Sequence, residues 1–194
     1  MSIITQQYDS QKYLLYAVNI CLQTIGELPL DNDTDLAHSI EGQLALNVIE
    51  ETKKNVLAEG WDFSSDTDYQ LVPDTQGFIA VPQNMLDLNS SRDADIIIRN
   101  WRLYSKKRQS HVFDSVVLVD IHWDLDFNEL THPIRNYVTV RAARVFQSRT
   151  IVDPTQFNFN MQDEEDARLS ARRSESRTGQ YSMLSSSPSA VRFS

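Results

Sequence analysis

The chain has little cysteine, glycine and proline, and no apolar run long enough to span a bilayer. Cys21 is the single cysteine among 194 residues, so no internal disulfide can form, and the composition fits a reducing compartment. Because Cys21 falls on a helical apolar stripe, we interpret it as a core thiol and not as a nucleophile. Residues 1–10 carry no signal-peptide pattern. These absences predict a soluble globular protein with a hydrophobic core.

Motifs of catalysis and nucleotide binding are also missing. The chain contains no G-x-S-x-G, H-E-x-x-H, phosphate-binding loop or G-x-G-x-x-G, and its four histidines show no ligand spacing. We therefore expect no enzyme activity, no catalytic residue, no metal and no cofactor. One rival hypothesis stays open, because the carboxylate pair of a carbohydrate hydrolase is defined by spatial separation and not by sequence spacing.

Charge is unevenly divided along the chain. Residues 1–97 carry four basic and sixteen acidic side chains, a net charge of −12, whereas residues 98–194 carry fourteen basic and eleven acidic ones, a net charge of +3. This distribution argues against general nucleic-acid binding, although a DNA-binding role remains an alternative. It suits a protein whose two ends meet different partners, or other copies of itself, and chance scatter on a solvated surface would also produce it.

The first 60 residues predict a helical hairpin. An apolar stripe predicts a helix over residues 10–25, closed by Gly26 and Pro29. The acidic loop at 31–35 would cap a second helix of about 25 residues that ends at Gly60. Its predicted buried stripe consists of Ala37, Ile40, Leu44, Val48, Thr52 and Val56. Gly42 indicates a close contact with that helix.

The middle of the chain predicts an antiparallel sheet. Short β-branched and aromatic runs end at turn residues, at 69–72, 78–81, 96–98 and 101–104. Residues 117–127 alternate apolar and polar side chains, which is typical of a strand with one buried face. The polar face carries Asp120, His122, Asp124 and Asp126, which could hold a divalent cation but more simply form the solvated side of the strand.

Helix is predicted again near the C-terminus. A third helix follows Pro133, with Thr131 as its cap, and a fourth spans roughly 155–177 with a pair between Glu164 and Arg168. The fold class is therefore α+β. We expect a four-helix bundle, two helices N-terminal and two C-terminal, with an inserted small antiparallel β domain and a flexible C-terminal tail. The expected segments are 10–60, 61–127, 128–177 and an extended tail at 178–194.

Several sequence motifs together resemble those of the tail tubular protein A family, the head-to-tail adaptors of short-tailed bacteriophages. They are A-V-N-x-x-L-x-x-I-G-E-x-P at 17–29, G-W-x-F at 60–63, L-x-P-D at 71–74, V-P at 81–82, R-x-Y-x-x-x-x-A-A-R-x-F-Q-x-R at 135–149, D-E-E-x-A-R at 163–168 and Y-x-M-L at 181–184. The similarity extends over nearly the whole chain. The chain departs from the family pattern at two places. The residues around 150–152 differ from the family's usual aromatic or glycine-rich sequence, and Ser182 stands where the family usually has Asn.

The resemblance implies a structural virion protein. Twelve copies would form a ring in the virion tail, assembled in the host cytoplasm, that joins the portal protein to the nozzle made of tail tubular protein B. Genomic DNA would pass through the lumen without specific binding, and no membrane would be involved. We expect the portal to be met by Arg168, Arg172, Arg173, Tyr181, Met183 and Leu184, and the nozzle by Lys106, Lys107 and Arg108.

Overall fold

A computed structural model describes the backbone of residues 2–90, 95–150 and 154–185, and the side chains of residues 12–90, 95–150 and 161–177. In these ranges the chain is α+β, as expected. Its elements are α1 (Ser2–Gln23), α2 (Asp33–His38), α3 (Ile40–Leu57), a 3-10 turn (Asp62–Ser64), β1 (Ser65–Leu71), β2 (Met85–Asn89), β3 (Ile96–Arg99), β4 (Arg102–Ser105), β5 (Val117–Trp123), α4 (His132–Thr150) and α5 (Pro154–Ser185).

The chain divides into two compact units, and the second is inserted into the first. Unit 1 comprises residues 1–52 and 127–194, and unit 2 comprises residues 53–126. The sequence patterns placed these boundaries at 61 and 127, so the inserted unit begins eight residues earlier than expected, inside α3.

Helix α1 begins earlier than predicted but ends where the sequence indicated. It starts at Ser2 instead of near residue 10. At its end Gly26 has φ +81°, which glycine adopts without strain. The Glu27 amide donates to the Leu22 carbonyl at 3.1 Å and the Gly26 amide donates to the Gln23 carbonyl at 3.2 Å. These two bonds form a Schellman motif, which satisfies the last carbonyls of the helix.

The predicted long second helix is wrong, because Ser39 divides it. Ser39 is extended (φ −86°, ψ 122°), and its hydroxyl accepts from the Gly42 amide at 2.9 Å, so it caps a new helix, α3. Gly42 does mark a close contact: a Cβ there would lie 2.9 Å from Cδ1 of both Leu30 and Leu36. The side chains of these two leucines therefore fill the space at the bend.

The bend changes which side chains are buried. Of the predicted stripe, Ala37, Ile40 and Leu44 are exposed, whereas Val48, Thr52 and Val56 are buried. Ile40 is 73% exposed and Leu44 is 54% exposed. The first buried side chain of α3 is that of Ala45.

The core of unit 1 is formed around α4, which packs against both α1 and α5. Helices α1 and α4 run parallel. Arg135, in the first turn of α4, lies over the ring of Tyr13 in the middle of α1, and Gln147, near the end of α4, donates to the carbonyl of Thr24, just after the end of α1. The buried apolar residues of these three helices are Ala17, Val18, Cys21, Leu22, Ile134, Tyr137, Val138, Ala142, Ala143, Phe146, Ala167 and Ala171. Thus the apolar stripe predicted for the first helix is confirmed at Val18, Cys21 and Leu22.

Helix α5 is longer than the sequence indicated. Its backbone continues to Ser185, so residues 178–185 are helical where an extended tail was expected. Residues 186–194 lie outside the described part of the chain, as do the side chains of 154–160 and 178–185.

Unit 2 contains two small antiparallel sheets. One has the order β1-β5-β2 and the other pairs β3 with β4. The alternation predicted for the strand at 117–127 is confirmed for β5, where Val119 and Ile121 are fully buried. The predicted strand at 78–81 makes only isolated bridges, and β2 was not predicted. Buried apolar residues of unit 2, from the strands and from the segments between them, form one cluster: Leu71, Ile79, Val81, Leu103, Phe113 and Val119.

A tight turn joins β3 to β4. Asn100 and Trp101 have φ values of 53° and 58°, and the flanking Arg99 and Arg102 are paired. Two central residues with positive φ are typical of a type I′ hairpin turn, whose second position usually holds glycine. Trp101 occupies that position here and its side chain is 61% exposed. Its backbone is therefore strained.

This strain predicts a difference between two substitutions at Trp101. Both Trp101→Gly and Trp101→Ala remove the exposed indole, but only glycine adopts positive φ without steric cost. We expect Trp101→Gly to be more stable than Trp101→Ala by about 1 kcal/mol. Chemical denaturation followed by circular dichroism measures this difference. Equal stability, or a less stable glycine variant, would show that the turn is not strained at this position.

Candidate assembly surfaces

A concavity of unit 1 lies between the first described turns of α1 and the start of α4. We call it the aromatic–basic groove. Its volume is about 420 Å³ and its lining residues are Lys12, Tyr13, Tyr16, Phe127, His132, Arg135, Asn136 and Thr139. Tyr13 is 46% exposed and Tyr16 is 64% exposed. Among the described residues, none that lines the groove carries a carboxylate.

Arg135 organises one side of the groove. Its guanidinium carbon lies 3.9 Å from the centroid of the Tyr13 ring, and its Nη1 donates to the Asn128 carbonyl at 3.2 Å. The stacked arrangement is a cation–π contact, which leaves the guanidinium plane fixed and charged. The groove therefore presents aromatic faces beside positive charge.

A second surface of unit 1 has the opposite character. We call it the acidic ridge, and its residues are Asp31, Asp33, Asp35, Ile40, Glu41 and Leu44, all exposed. Asn32 caps α2 by accepting from the Asp35 amide at 2.9 Å, so the loop has a defined conformation. Ile40 and Leu44 are one turn apart and therefore share a face of α3. The ridge presents exposed apolar groups beside negative charge.

The arginines predicted to meet the portal lie on α5. Arg168 and Arg173 are exposed, and Arg172 is half-buried. Arg168 lies 3.7 Å from Glu165, and Arg172 lies 3.3 Å from Glu175. Arg168 and Arg172 share one helix face, and Arg173 is displaced from it by one residue, about 100°. The backbone of α5 includes Tyr181, Met183 and Leu184, but their side chains lie outside the described ones.

The residues predicted to meet the nozzle form an exposed turn after β4. Lys106, Lys107 and Arg108 are all exposed. Backbone bonds between Ser105 and Ser110, at 2.9 and 3.3 Å, close the turn. Arg108 lies 3.2 Å from Asp114, so the two lysines carry most of the uncompensated charge of this turn. The predicted portal and nozzle residues therefore belong to different units.

One charged cluster was not predicted. Glu164 of α5 contacts two arginines of α4: it accepts a charge-assisted hydrogen bond from Arg144 and lies 3.6 Å from Arg141. These three side chains are between 17% and 28% exposed. The sequence had paired Glu164 with Arg168, because only local spacing was available. The cluster instead fixes α5 against α4, so it is structural.

The polar face of β5 does not form a metal site. In the described ranges no group of three or more His, Cys, Asp or Glu residues could hold a metal ion. Asp120 accepts from the Asp68 amide at 3.2 Å, and Asp124 lies 3.2 Å from Lys53 and 3.6 Å from Lys54. Lys53 is only 7% exposed, so Asp124 neutralises a buried ammonium group.

Ser65 and His122 are close enough to suggest a catalytic pair, but in the hydrogen bond between them the histidine is the donor and the serine is the acceptor. The Ser65 hydroxyl lies 2.7 Å from both the Trp61 carbonyl and His122 Nδ1. A carbonyl can only accept, so the hydroxyl proton goes to Trp61 and Nδ1–H donates to Ser65. A base that activates serine must instead accept the hydroxyl proton. Ser65 and His122 therefore form a structural link.

The single thiol is equally unsuited to catalysis. Cys21 is buried, and this burial raises its pKa to about 12. The thiolate is the nucleophilic form, so almost none is present at neutral pH. The interpretation of Cys21 as a core residue agrees with this environment.

Comparison with known proteins identifies the class. The family model described as Tail tubular protein matches residues 15–181. The chain is also 29% identical over 133 residues to Tail tubular protein A of Klebsiella phage KP34, a match that covers 66% of this chain and 70% of that protein.

The chain is therefore a structural component of a phage tail. It belongs to the tail tubular protein family, and the resemblance to tail tubular protein A is confirmed. Membership implies a virion tail component that assembles with other tail proteins into an oligomeric tail. In the part of the chain that the structure describes, no helix is long and apolar enough to cross a membrane.

Proposed function

We propose that the chain is the adaptor that joins the portal to the tail nozzle, as a ring that forms part of the channel for DNA ejection. The observation that carries this proposal is the match to the tail tubular protein family over residues 15–181. The separation of the α5 arginines, in unit 1, from the basic turn, in unit 2, supports two different contacts for one subunit.

In this proposal the portal is met by Arg168, Arg172, Arg173, Tyr181, Met183 and Leu184, and tail tubular protein B is met by Lys106, Lys107 and Arg108. Twelve copies form the ring, which is assembled in the host cytoplasm. The four longer helices, α1, α3, α4 and α5, form a bundle in each copy. Negative charge in the first half of the chain repels the phosphates of the DNA, so the genome passes without specific binding.

The adaptor acts by surface complementarity and needs no enzyme activity. The hydrolase alternative requires a pair of carboxylates at a defined separation, and the Ser65–His122 contact does not supply one. The DNA-binding alternative, a terminator of packaging, requires a positive face for duplex DNA, and the net charge of −12 over residues 1–97 opposes such a face in that half of the chain. Neither alternative has an observation in its favour.

The test mixes the purified chain with its portal and images the complexes by electron microscopy. We expect a ring of subunits seated on the portal. Arg168→Glu combined with Arg173→Glu should weaken portal binding at least about tenfold and leave nozzle binding unchanged. Lys106→Glu combined with Lys107→Glu is the matched control, with the same charge change, and should give the reverse pattern.

The same experiment can refute each part of the proposal. If no ring seats on the portal, the adaptor role is wrong. If both charge reversals weaken the same partner, the assignment of surfaces is wrong. Turnover of capsule or peptidoglycan by the purified chain, lost in one Asp or Glu variant, would favour the hydrolase, and tight salt-dependent duplex binding would favour the terminator.

A further inference from the structure

We propose that the aromatic–basic groove of one copy binds the acidic ridge of a second copy. This inference rests on the proposed ring and identifies the surfaces through which its subunits contact each other. It follows from three properties of unit 1: the chemistry of the groove, the chemistry of the ridge, and their places on separate surfaces.

The groove is suited to a partner that is both acidic and apolar. Tyr13 and Tyr16 offer large rings that lose little conformational entropy on binding, and Lys12 and Arg135 supply positive charge beside them. Stacking against Tyr13 already orders Arg135, so little further ordering is needed when a carboxylate arrives. A purely apolar partner would leave these cations without water or a counter-charge.

The ridge carries the matching groups. Ile40 is 73% exposed and Leu44 is 54% exposed on one face of α3. Glu41 follows Ile40 directly, and the exposed carboxylates of the acidic loop precede it by only a few residues in the sequence. Exposed aliphatic groups on consecutive turns of a helix mark an interaction surface. The sequence pattern assigned these two residues to the core, and the bend at Ser39 places them outside it. A surface in another molecule can bury them.

The groove and the ridge are different surfaces of one copy. None of the ridge residues lines the groove. Each copy can therefore use its groove for one neighbour and its ridge for the other. Such a heterologous contact repeats from copy to copy and closes into a ring when the rotation between copies allows it. The two surfaces thus supply the head-to-tail contact that a ring requires.

The experiment uses one variant on each surface. Tyr16→Asp places a carboxylate in the groove, where it repels the ridge, and Ile40→Asp places one on the ridge in place of an aliphatic group. Aspartate is favourable at Ile40, the first residue of α3, so this variant should fold normally. Lys12→Glu is a second groove variant at an exposed position. Val72→Asp is the control, because Val72 is 67% exposed and lies in unit 2.

Self-association is measured by sedimentation velocity, with the full chain alone and with the purified portal. We expect the parent and Val72→Asp to assemble equally, and each variant of groove or ridge to self-associate at least about tenfold more weakly. An equal mixture of Tyr16→Asp and Ile40→Asp should form 1:1 pairs and nothing larger, because it contains one intact groove and one intact ridge. Circular dichroism verifies that each variant is folded.

The outcomes separate this inference from the adaptor role. If Tyr16→Asp, Lys12→Glu and Ile40→Asp form normal rings on the portal, the inference is wrong and the adaptor role stands. If the mixture forms no pairs although both variants are defective, the groove and the ridge do not bind each other, and the inference is again wrong. If the parent stays monomeric alone and with the portal, both proposals fall. Loss of nozzle binding alone in the groove variants would show that the groove serves that partner instead.

Discussion

Trp61→Ala should lower the free energy of unfolding by about 4 kcal/mol, because it creates a large cavity. Trp61 is fully buried, and its Nε1 donates to the Val56 carbonyl at 2.7 Å. The substitution removes the ring from its packing and leaves that buried carbonyl without this donor. A typical domain is stable by only about 5–15 kcal/mol, so the loss is a large fraction of the total. Urea denaturation followed by far-ultraviolet circular dichroism measures it.

Trp101→Ala is the matched control, with the same side-chain change at an exposed position. Trp101 is 61% exposed, so its truncation should change the stability by less than about 1 kcal/mol. Similar losses in the two variants would contradict the assignment of Trp61 as the larger contributor to the core.

Asp124→Asn should lower the free energy of unfolding by about 3 kcal/mol, because it removes the carboxylate from a buried ion pair. The Asp124 carboxylate lies 3.2 Å from Lys53 Nζ and 3.6 Å from Lys54 Nζ. Lys53 is nearly inaccessible to water, whereas Lys54 is exposed. The cost therefore comes chiefly from Lys53. Chemical denaturation at neutral pH measures the change.

Two further variants isolate this effect. Asp126→Asn removes a carboxylate two residues away, at an exposed position, and should change stability by less than about 0.5 kcal/mol. Lys53→Met combined with Asp124→Leu removes both charges and should recover most of the loss. If the double variant is less stable than Asp124→Asn, the buried charge is not the cause of the destabilisation.

Local sequence patterns correctly predicted the features that depend only on neighbouring residues, namely where a helix ends and which face of a strand is buried. The end of α1 was predictable because a glycine able to adopt positive φ follows an apolar stripe. The burial of β5 was predictable because Val119 and Ile121 alternate with polar residues. The break at Ser39 was not predictable, because the helical periodicity of the sequence continues through it. The side chains of Leu30 and Leu36 pack against Gly42 beside the break, and the sequence does not show this tertiary contact.

The surfaces were predictable only in part. The exposed basic turn follows from three consecutive basic residues, and the α5 arginines from their positions on a polar helix. The groove could not be predicted, because its two sides lie more than one hundred residues apart and meet only when α1 packs on α4. The partners of Glu164 and Asp124 were missed for the same reason: sequence spacing shows local pairs and not tertiary ones.

The packing of α1 against α4 also has a consequence during translation, because α1 is synthesised long before the helix that covers its apolar face. Residues 24–131 separate the two helices, so the ribosome requires roughly 5–20 s to complete this stretch before α4 emerges. During that time the apolar face of α1 has no α4 to cover it, whereas residues 53–126 are already a complete unit. Unit 2 can therefore fold while the chain is still growing. The nascent first helix is the segment that a chaperone would need to shield from its copies on neighbouring ribosomes.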